Sequence, residues 1–269
     1  MNLELHKSKN LLKILNTAID AGKEIQKVYK KSFNVEIKDD NSPITEADIK
    51  SNNLILNRLK SFSPNVPILS EESLIEWKER KTWNSYWLID PLDGTKEFIK
   101  KNGEFTVNIS LVRNKVPILG VIYVPVTKDL YFGLENIGSF KCSNVDNEFH
   151  DLESLITKSK KLPLQYKRDN YVIVGSRSHM SKETEAFFKT KKNEKDNVDV
   201  LSVGSSLKIC MVAEGKADVY PRYAPTMEWD TAAGHAIVKF AGFTFLEYNS
   251  ENELIYNKKS LLNPWFIVE

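Results

Sequence analysis

The chain has 269 residues, enough to bury one large core or two intimate halves. Its 38 basic and 36 acidic side chains leave a formal charge of +2, which argues against a broad nucleic-acid-binding or membrane-binding surface. No apolar run approaches the ~20 residues of a membrane span, and the N-terminus lacks the apolar core of a signal peptide.

Leu11, Leu15, Ala18, Gly22, Ile25 and Tyr29 recur at steps of four and three, so the first segment reads as an amphipathic helix. An extended stretch at 33–38 leads into the turn Asp39-Asp40-Asn41-Ser42-Pro43. A second helix is expected from near Thr45 to Phe62. Short strands follow at 67–70 and 86–90, then neighbouring antiparallel strands at 105–112, 118–123 and 129–132. The polar, lysine-rich stretch 143–170 reads as a peripheral hairpin or linker. After it the elements alternate: strands at 171–174, 198–202 and 219–220, helices at 182–189, 206–213 and 231–241. That alternation predicts an α/β half at 141–269 after an α+β half at 1–140. Cys142 and Cys210, far apart and without CxxC spacing, point to a reducing cytoplasm and away from structural zinc.

The segment Trp87-Leu88-Ile89-Asp90-Pro91-Leu92-Asp93-Gly94-Thr95 is the most informative. An apolar strand ends in one carboxylate and a second follows across a turn, a set of hard oxygens that suits Mg²⁺. Pro91 fixes the backbone so that the Leu92 carbonyl can face the same ion. Gly94 admits an anion, and Lys96-Glu97-Phe98-Ile99 opens a helix whose N–H groups can bind phosphate oxygens. Taken alone, Asp90 and Asp93 are explained equally well as a cap and a turn. Glu71, at another strand end, can reach the same metal, with Glu72 on the opposite side of an extended chain. Asp230 heads a small-residue helix, and Asp48 follows Thr45 in a capping-box pattern. Capping accounts for both cheaply; the competing reading has Asp48 orient a hydroxyl or water near the metals.

In this order the four segments resemble the inositol monophosphatase family of Mg²⁺-dependent, lithium-sensitive phosphatases. Its paired signatures are recognisable at 87–95 and 229–234, and the similarity runs from Lys38 to Leu262-Asn263-Pro264. Within the family the chain is most similar to bacterial 3'(2'),5'-bisphosphate nucleotidases of sulfate assimilation. That likeness rests on Lys38-Asp39-Asp40-Asn41-Ser42-Pro43, Asn102-Gly103-Glu104-Phe105-Thr106-Val107-Asn108, Gly120-Val121-Ile122-Tyr123, Ser176-Arg177-Ser178-His179, Gly204-Ser205-Ser206-Leu207-Lys208 and Tyr220-Pro221-Arg222.

The resemblance implies a layered αβαβα sandwich with the site between its halves. It implies two or three Mg²⁺ ions held by Glu71, Asp90, the Leu92 carbonyl, Asp93 and Asp230. Thr95 and Asp48 would position the attacking water, with Glu71 assisting through the metal. Gly94, Thr95, Ser178, His179, Ser205, Lys208, Arg222 and Asp230 would contact substrate. The expected reaction converts adenosine 3',5'-bisphosphate to AMP and phosphate without a covalent phosphoenzyme. The alternatives are the same machinery acting on an inositol or sugar phosphate, and a non-catalytic nucleotide-binding regulator, which would be expected to have lost a metal carboxylate.

Inositol phosphatases of this family carry an acidic residue several positions before the Trp-Asp pair, where this chain has Arg222-Tyr223. A cation and a ring suit a second phosphate and a base; the alternative is that Arg222 pairs with an acid and Tyr223 packs. Ala224 stands where the nucleotidases usually have Gly. The expected partner is a small nucleotide bisphosphate, with no nucleic-acid polymer and no membrane span; both a monomer and a homodimer are compatible with the sequence. The expected location is the cytoplasm, with peripheral attachment at the inner membrane as the alternative. His6, His150, His179 and His235 have no metal-ligand spacing, and His235, in an Ala-rich helix, is expected to pack.

Overall fold

The architecture, taken from a computed structural model, is described for residues 8–38, 42–178 and 180–269. His6, His179 and residues 39–41 of the expected turn lie outside the described residues. Helices α1 (Ser8–Tyr29) and α2 (Glu46–Phe62) form an outer layer. Between them lie the short antiparallel strands β1 (Val35–Ile37) and β2 (Pro43–Thr45). Next come β3 (Ile68–Ser70), α3 (Trp77–Arg80), β4 (Ser85–Asp93), α4 (Thr95–Ile99), β5 (Thr106–Arg113), β6 (Val116–Val124), β7 (Asp129–Leu134) and β8 (Gly138–Cys142). Helix α5 (Leu152–Lys158) and β9 (Lys160–Lys161) close this part of the chain.

Strands β3 to β9 form one sheet in sequence order, with β3 parallel to β4 and every later pair antiparallel. It is covered on both faces, which is why β4 and β6 read as near-continuous apolar runs. Trp87, Ile89, Val107, Ile109 and Val121 pack toward α1 and α2. Tyr86, Leu88, Val112 and Ile122 pack toward the C-terminal helices.

The remaining chain runs β10 (Tyr171–Ser176), α6 (Lys182–Glu194), β11 (Val198–Val203), α7 (Leu207–Glu214), β12 (Tyr220–Arg222), α8 (Glu228–Phe240), β13 (Phe245–Glu247) and β14 (Phe266–Val268). Strand β10 pairs in parallel with β11, β12 and β13 flank β14 antiparallel, and a parallel bridge between Ile173 and Val219 joins the two groups. Helices α7 and α8 fill the space between the two sheets, and α6 covers the far face through Phe188. The layers are therefore α, β, α, β, α.

The stretch 143–170 differs from its expectation as a hairpin or linker. Asp151 caps α5, Leu155 is buried in the first core, and β9 adds to the sheet edge beside β8. Val145, Leu155 and Leu162 anchor it, with Leu152 and Ile156 packed beside Leu155 on a helix of only seven residues, too short for its period to stand out among the lysines. Strands β8, β13 and β14 and helix α3 had no counterpart in the sequence reading, and α6 runs to Glu194, five residues past its expected end.

Candidate active site

Strand β4 enters the site along its register with β5 as far as Asp90, then loses register until Asp93 meets Thr106. Pro91, which has no N–H to give a ladder, sits in that irregularity, and the buried Ser51 hydroxyl donates to its carbonyl at 2.7 Å. The Leu92 N–H turns back onto Asp90 Oδ1 at 3.0 Å. Gly94 follows at φ +95°, a left-handed conformation that L side chains rarely adopt. A Cβ there would also stand 2.9 Å from the Glu104 carbonyl oxygen. Helix α4 starts at the next residue, Thr95.

From the opposite side, α8 brings Asp230 to this turn. Carboxylate oxygens of Asp90, Asp93 and Asp230 lie within 4.8 Å of one another. Asp230 Oδ2 accepts the Met227 N–H at 2.9 Å. Asp93 Oδ2 accepts from the Ser205 hydroxyl at 2.7 Å and the Ser206 N–H at 2.6 Å. Burial, then repulsion from Glu71, Asp93 and Asp230, pushes the Asp90 carboxyl well above its usual range. Burial and the nearby Asp93 do the same to Asp230. Converging acceptor-only oxygens that repel one another form a donor set that a hard divalent cation would relieve.

Glu71 lines the same cavity but leans on a cation of its own: Lys38 Nζ donates to Glu71 at 3.1 Å and to Glu72 at 2.6 Å. Burial pushes the Glu71 carboxyl up to about 7, against the pull of Lys38. Glu72 was expected on the opposite side from Glu71, yet both acids reach one ammonium. The strand ends at Ser70, and the Ser73 N–H bonds back to the Ser70 carbonyl, so these residues form a turn with no strand alternation.

Asp48 uses its two oxygens on different partners. Its Oδ2 caps α2, accepting from the Thr45 N–H at 2.8 Å and the Thr45 hydroxyl at 2.6 Å. Its Oδ1 accepts from the Thr95 hydroxyl at 3.2 Å. Burial raises the Asp48 carboxyl.

Lys38, Glu71, Asp90, Asp93 and Asp230 line a cavity of about 620 Å³ between the halves. Leu92, Gly94 and Thr95 line it from the first half, and Ser205, Lys208, Arg222 and Asp230 from the second. Lys208 Nζ is bonded to the Val203 carbonyl at 3.2 Å and to the Ser205 carbonyl, and burial lowers it to about 8. Arg222 Nη2 donates to the Pro225 carbonyl at 2.8 Å, while its buried Nε–H has no partner among the described residues. Ser178 donates at 2.5 Å to Glu97, which lines the cavity. Tyr223 does not accompany Arg222. It follows the last residue of β12, and its ring packs with Phe187, Tyr248 and Trp265.

Residues 8–265 match the inositol monophosphatase family, nearly the whole chain. The chain belongs to the inositol monophosphatase family. Within it, the chain is 40% identical to the 3'(2'),5'-bisphosphate nucleotidase CysQ of Salmonella typhimurium, over 96% of this chain and 98% of that one. It is 45% identical to CysQ of Buchnera aphidicola, over 87% of this chain and 83% of that one. A crystal structure of CysQ from Bacteroides thetaiotaomicron, a bacterial member of the family, superposes with a TM-score of 0.90 at 49% identity, over 99% and 98% of the two chains.

For some site residues of this inositol monophosphatase family member, no sign of their role was legible in the sequence. Lys38 is 33 positions from Glu71, and only a tally of charge at an acid-rich site would have sought it. Glu97 reads as an ordinary helix acid but is 4% exposed beside the cavity. Thr106, Asn108 and Ser206 lie in motifs that the family likeness quotes, and their mutual hydrogen bonds appear only once β5 and α7 meet.

Proposed function

We propose that this chain is a 3'(2'),5'-bisphosphate nucleotidase that removes the 3'-phosphate of adenosine 3',5'-bisphosphate, giving AMP and phosphate, with Mg²⁺ as cofactor in the cytoplasm. The observation that carries the reading is one cavity holding both a cluster of three carboxylates and a buried guanidinium with an unpartnered N–H. The first suits cations around one phosphoryl group; the second suits another anionic group on the same substrate. The CysQ nucleotidases above support it through their similarity over nearly the full chain.

On this reading Asp90, Asp93, Asp230, Glu71 and the Leu92 carbonyl hold two or three Mg²⁺ ions. Bound divalent cations supply Lewis-acid polarisation of the phosphoryl group and a water of lowered pKa. Thr95 and Asp48 act as a pair: with the Thr95 proton fixed on Asp48 Oδ1, the Thr95 oxygen offers its lone pairs to the attacking water. Water oxygen bonds to phosphorus as the bond to the ribose 3'-oxygen breaks, and a proton passes to that oxygen. N–H groups of the turn at Gly94 and Thr95 bind phosphoryl oxygens. Ser205, Lys208 and Ser178 border the nucleotide, and Arg222 takes the second phosphate.

The deciding experiment compares kcat/KM for adenosine 3',5'-bisphosphate and inositol 1-phosphate on purified protein with Mg²⁺. A preference of about 100-fold for the bisphosphate is expected, the size of one charged hydrogen bond from a buried group. A preference for inositol 1-phosphate would reassign the same machinery to a polyol phosphate. No hydrolysis of either, despite Mg²⁺ binding, would point to a non-catalytic nucleotide binder.

A further inference from the structure

Glu104 lies on the loop between α4 and β5, apart from the acid cluster, and its carboxylate reaches across to the second half. Oε2 accepts the Gly204 N–H at 2.8 Å and the Arg177 Nε–H at 2.8 Å, while Oε1 accepts from Arg177 Nη2 at 2.7 Å. Gly204 opens the short loop into α7 that delivers both donors held by Asp93, the Ser205 hydroxyl and the Ser206 N–H.

That loop adopts a shape it would not hold unaided. Ser205 sits at φ +55°, a left-handed conformation a serine adopts only when its surroundings fix it. Thr106 meets the hydroxyls of Ser205 and Ser206, both at 2.8 Å, and Ser206 donates to Asn108 at 3.0 Å. These bonds act on the side chains; Glu104 grips the backbone one residue upstream. The Glu104 backbone is close too: a Cβ on Gly204 would stand 3.1 Å from its carbonyl oxygen.

We infer that the loop at 204–206, anchored by Glu104, is a positioning device that aims the Asp93 carboxylate into the cation site. The inference rests on the proposed reading of Asp93 as a cation ligand. Solvent exposure decides which part of the anchor matters. Arg177 is 46% exposed, so solvent screens its ion pair. The Gly204 N–H donates, in a half-buried bond, to an ionised acceptor, among the stronger kinds of hydrogen bond. The backbone contact, rather than the ion pair, is the operative element.

The test is calorimetric titration of Mg²⁺ into the chelator-stripped full chain, with half-maximal Mg²⁺ for hydrolysis measured in parallel. Glu104→Ala is expected to weaken Mg²⁺ binding by about 10- to 30-fold, the effect of losing a group that orients a ligand. The Mg²⁺ needed for half-maximal rate should rise by the same factor, with kcat at saturating Mg²⁺ within about threefold of wild type. Glu104→Gln, which keeps an acceptor for Gly204, should recover most of the affinity, and Arg177→Met should bind Mg²⁺ nearly as wild type does. Wild-type affinity in Glu104→Ala, or a Glu104→Gln variant as weak as Glu104→Ala, overturns the inference. Should Glu104→Ala not fold, Ser205→Ala decides: weakened binding upholds the device and unaltered binding refutes it. Asp93→Asn separates the two claims. If it binds Mg²⁺ as wild type does, the underlying reading of Asp93 fails; if only Asp93→Asn is impaired, the positioning role alone fails.

Discussion

Asp93 and Arg222 face each other's problem across the cavity, one an acid gathered among acids, the other a guanidinium with a donor left over. Replacing Asp93 by Asn keeps the side-chain volume and removes one of three converging charges. The fold should survive, because Ser205 and Ser206 still have an oxygen to donate to and repulsion with Asp90 and Asp230 falls. Hydrolysis should drop on the order of 1,000-fold, about 4 kcal/mol of barrier. A rate unchanged from wild type would contradict the metal role. Arg222→Met tests the other charge. The ratio of kcat/KM for adenosine 3',5'-bisphosphate to that for 3'-AMP, which lacks the second phosphate, should fall roughly tenfold or more, since the guanidinium that holds that phosphate is gone. An unchanged ratio would place the second phosphate elsewhere.

At the scale of elements, Asp230 is aimed by where α8 lies against the first sheet. Gly120 on β6 makes that approach possible: a Cβ there would stand 2.0 Å from the Ala233 carbonyl oxygen, one turn beyond Asp230. Gly120→Ala must push the helix away, since backbone cannot swing aside as a flexible side chain can. The expected cost is about 1–3 kcal/mol, a fall in Tm of roughly 2–12 °C for a chain of this size, accompanied by weaker Mg²⁺ binding. A stable variant with wild-type Mg²⁺ affinity would show that α8 does not set the site. The sequence conveyed these elements unevenly. The first helix was legible because Leu11, Leu15 and Ala18 repeat on one face, and β4 to β7 because long apolar runs are bounded by turns. Strand β14 was hidden because three residues between loops have no period, and its order comes from β12 and β13 on either side. Asp90 and Asp93 stood out at the end of an apolar strand, with the other acidic segments deciding for a ligand over a cap. Lys38 and the Glu104 anchor did not, since their partners come from distant positions that only the fold brings near.

Taken as a whole, the molecule stores charge at its centre and divides the acids between layers. Strand β8 runs through residue 140, the expected boundary, so the two halves share structure there, and α8 serves as the layer between both sheets. The metal-free state must therefore bring Glu71, Asp90, Asp93 and Asp230 together to complete its core, and this couples stability to pH in a definite direction. The Glu71 carboxyl titrates at about 7 in the folded protein against 4.5 for an ordinary glutamate, chiefly through burial, and Asp90 and Asp230 are likewise raised. Between those values the folded chain binds more protons than the unfolded chain. Stability contributed by these groups is thus fully present below about pH 4.5 and is lost as pH rises through 7. A divalent cation offsets the charge these acids acquire, so the loss should vanish in the loaded protein. The gap in Tm between protein with saturating Mg²⁺ and protein with chelator should consequently widen from pH 5 to pH 7.5. For Glu71, whose side chain is 24% exposed, a discounted figure is roughly 2 kcal/mol, or about 4–8 °C. Thermal unfolding at both pH values with and without chelator measures it directly. A gap that stays constant, or narrows toward pH 7.5, would mean that the acids do not titrate against the fold and that no cation gathers them.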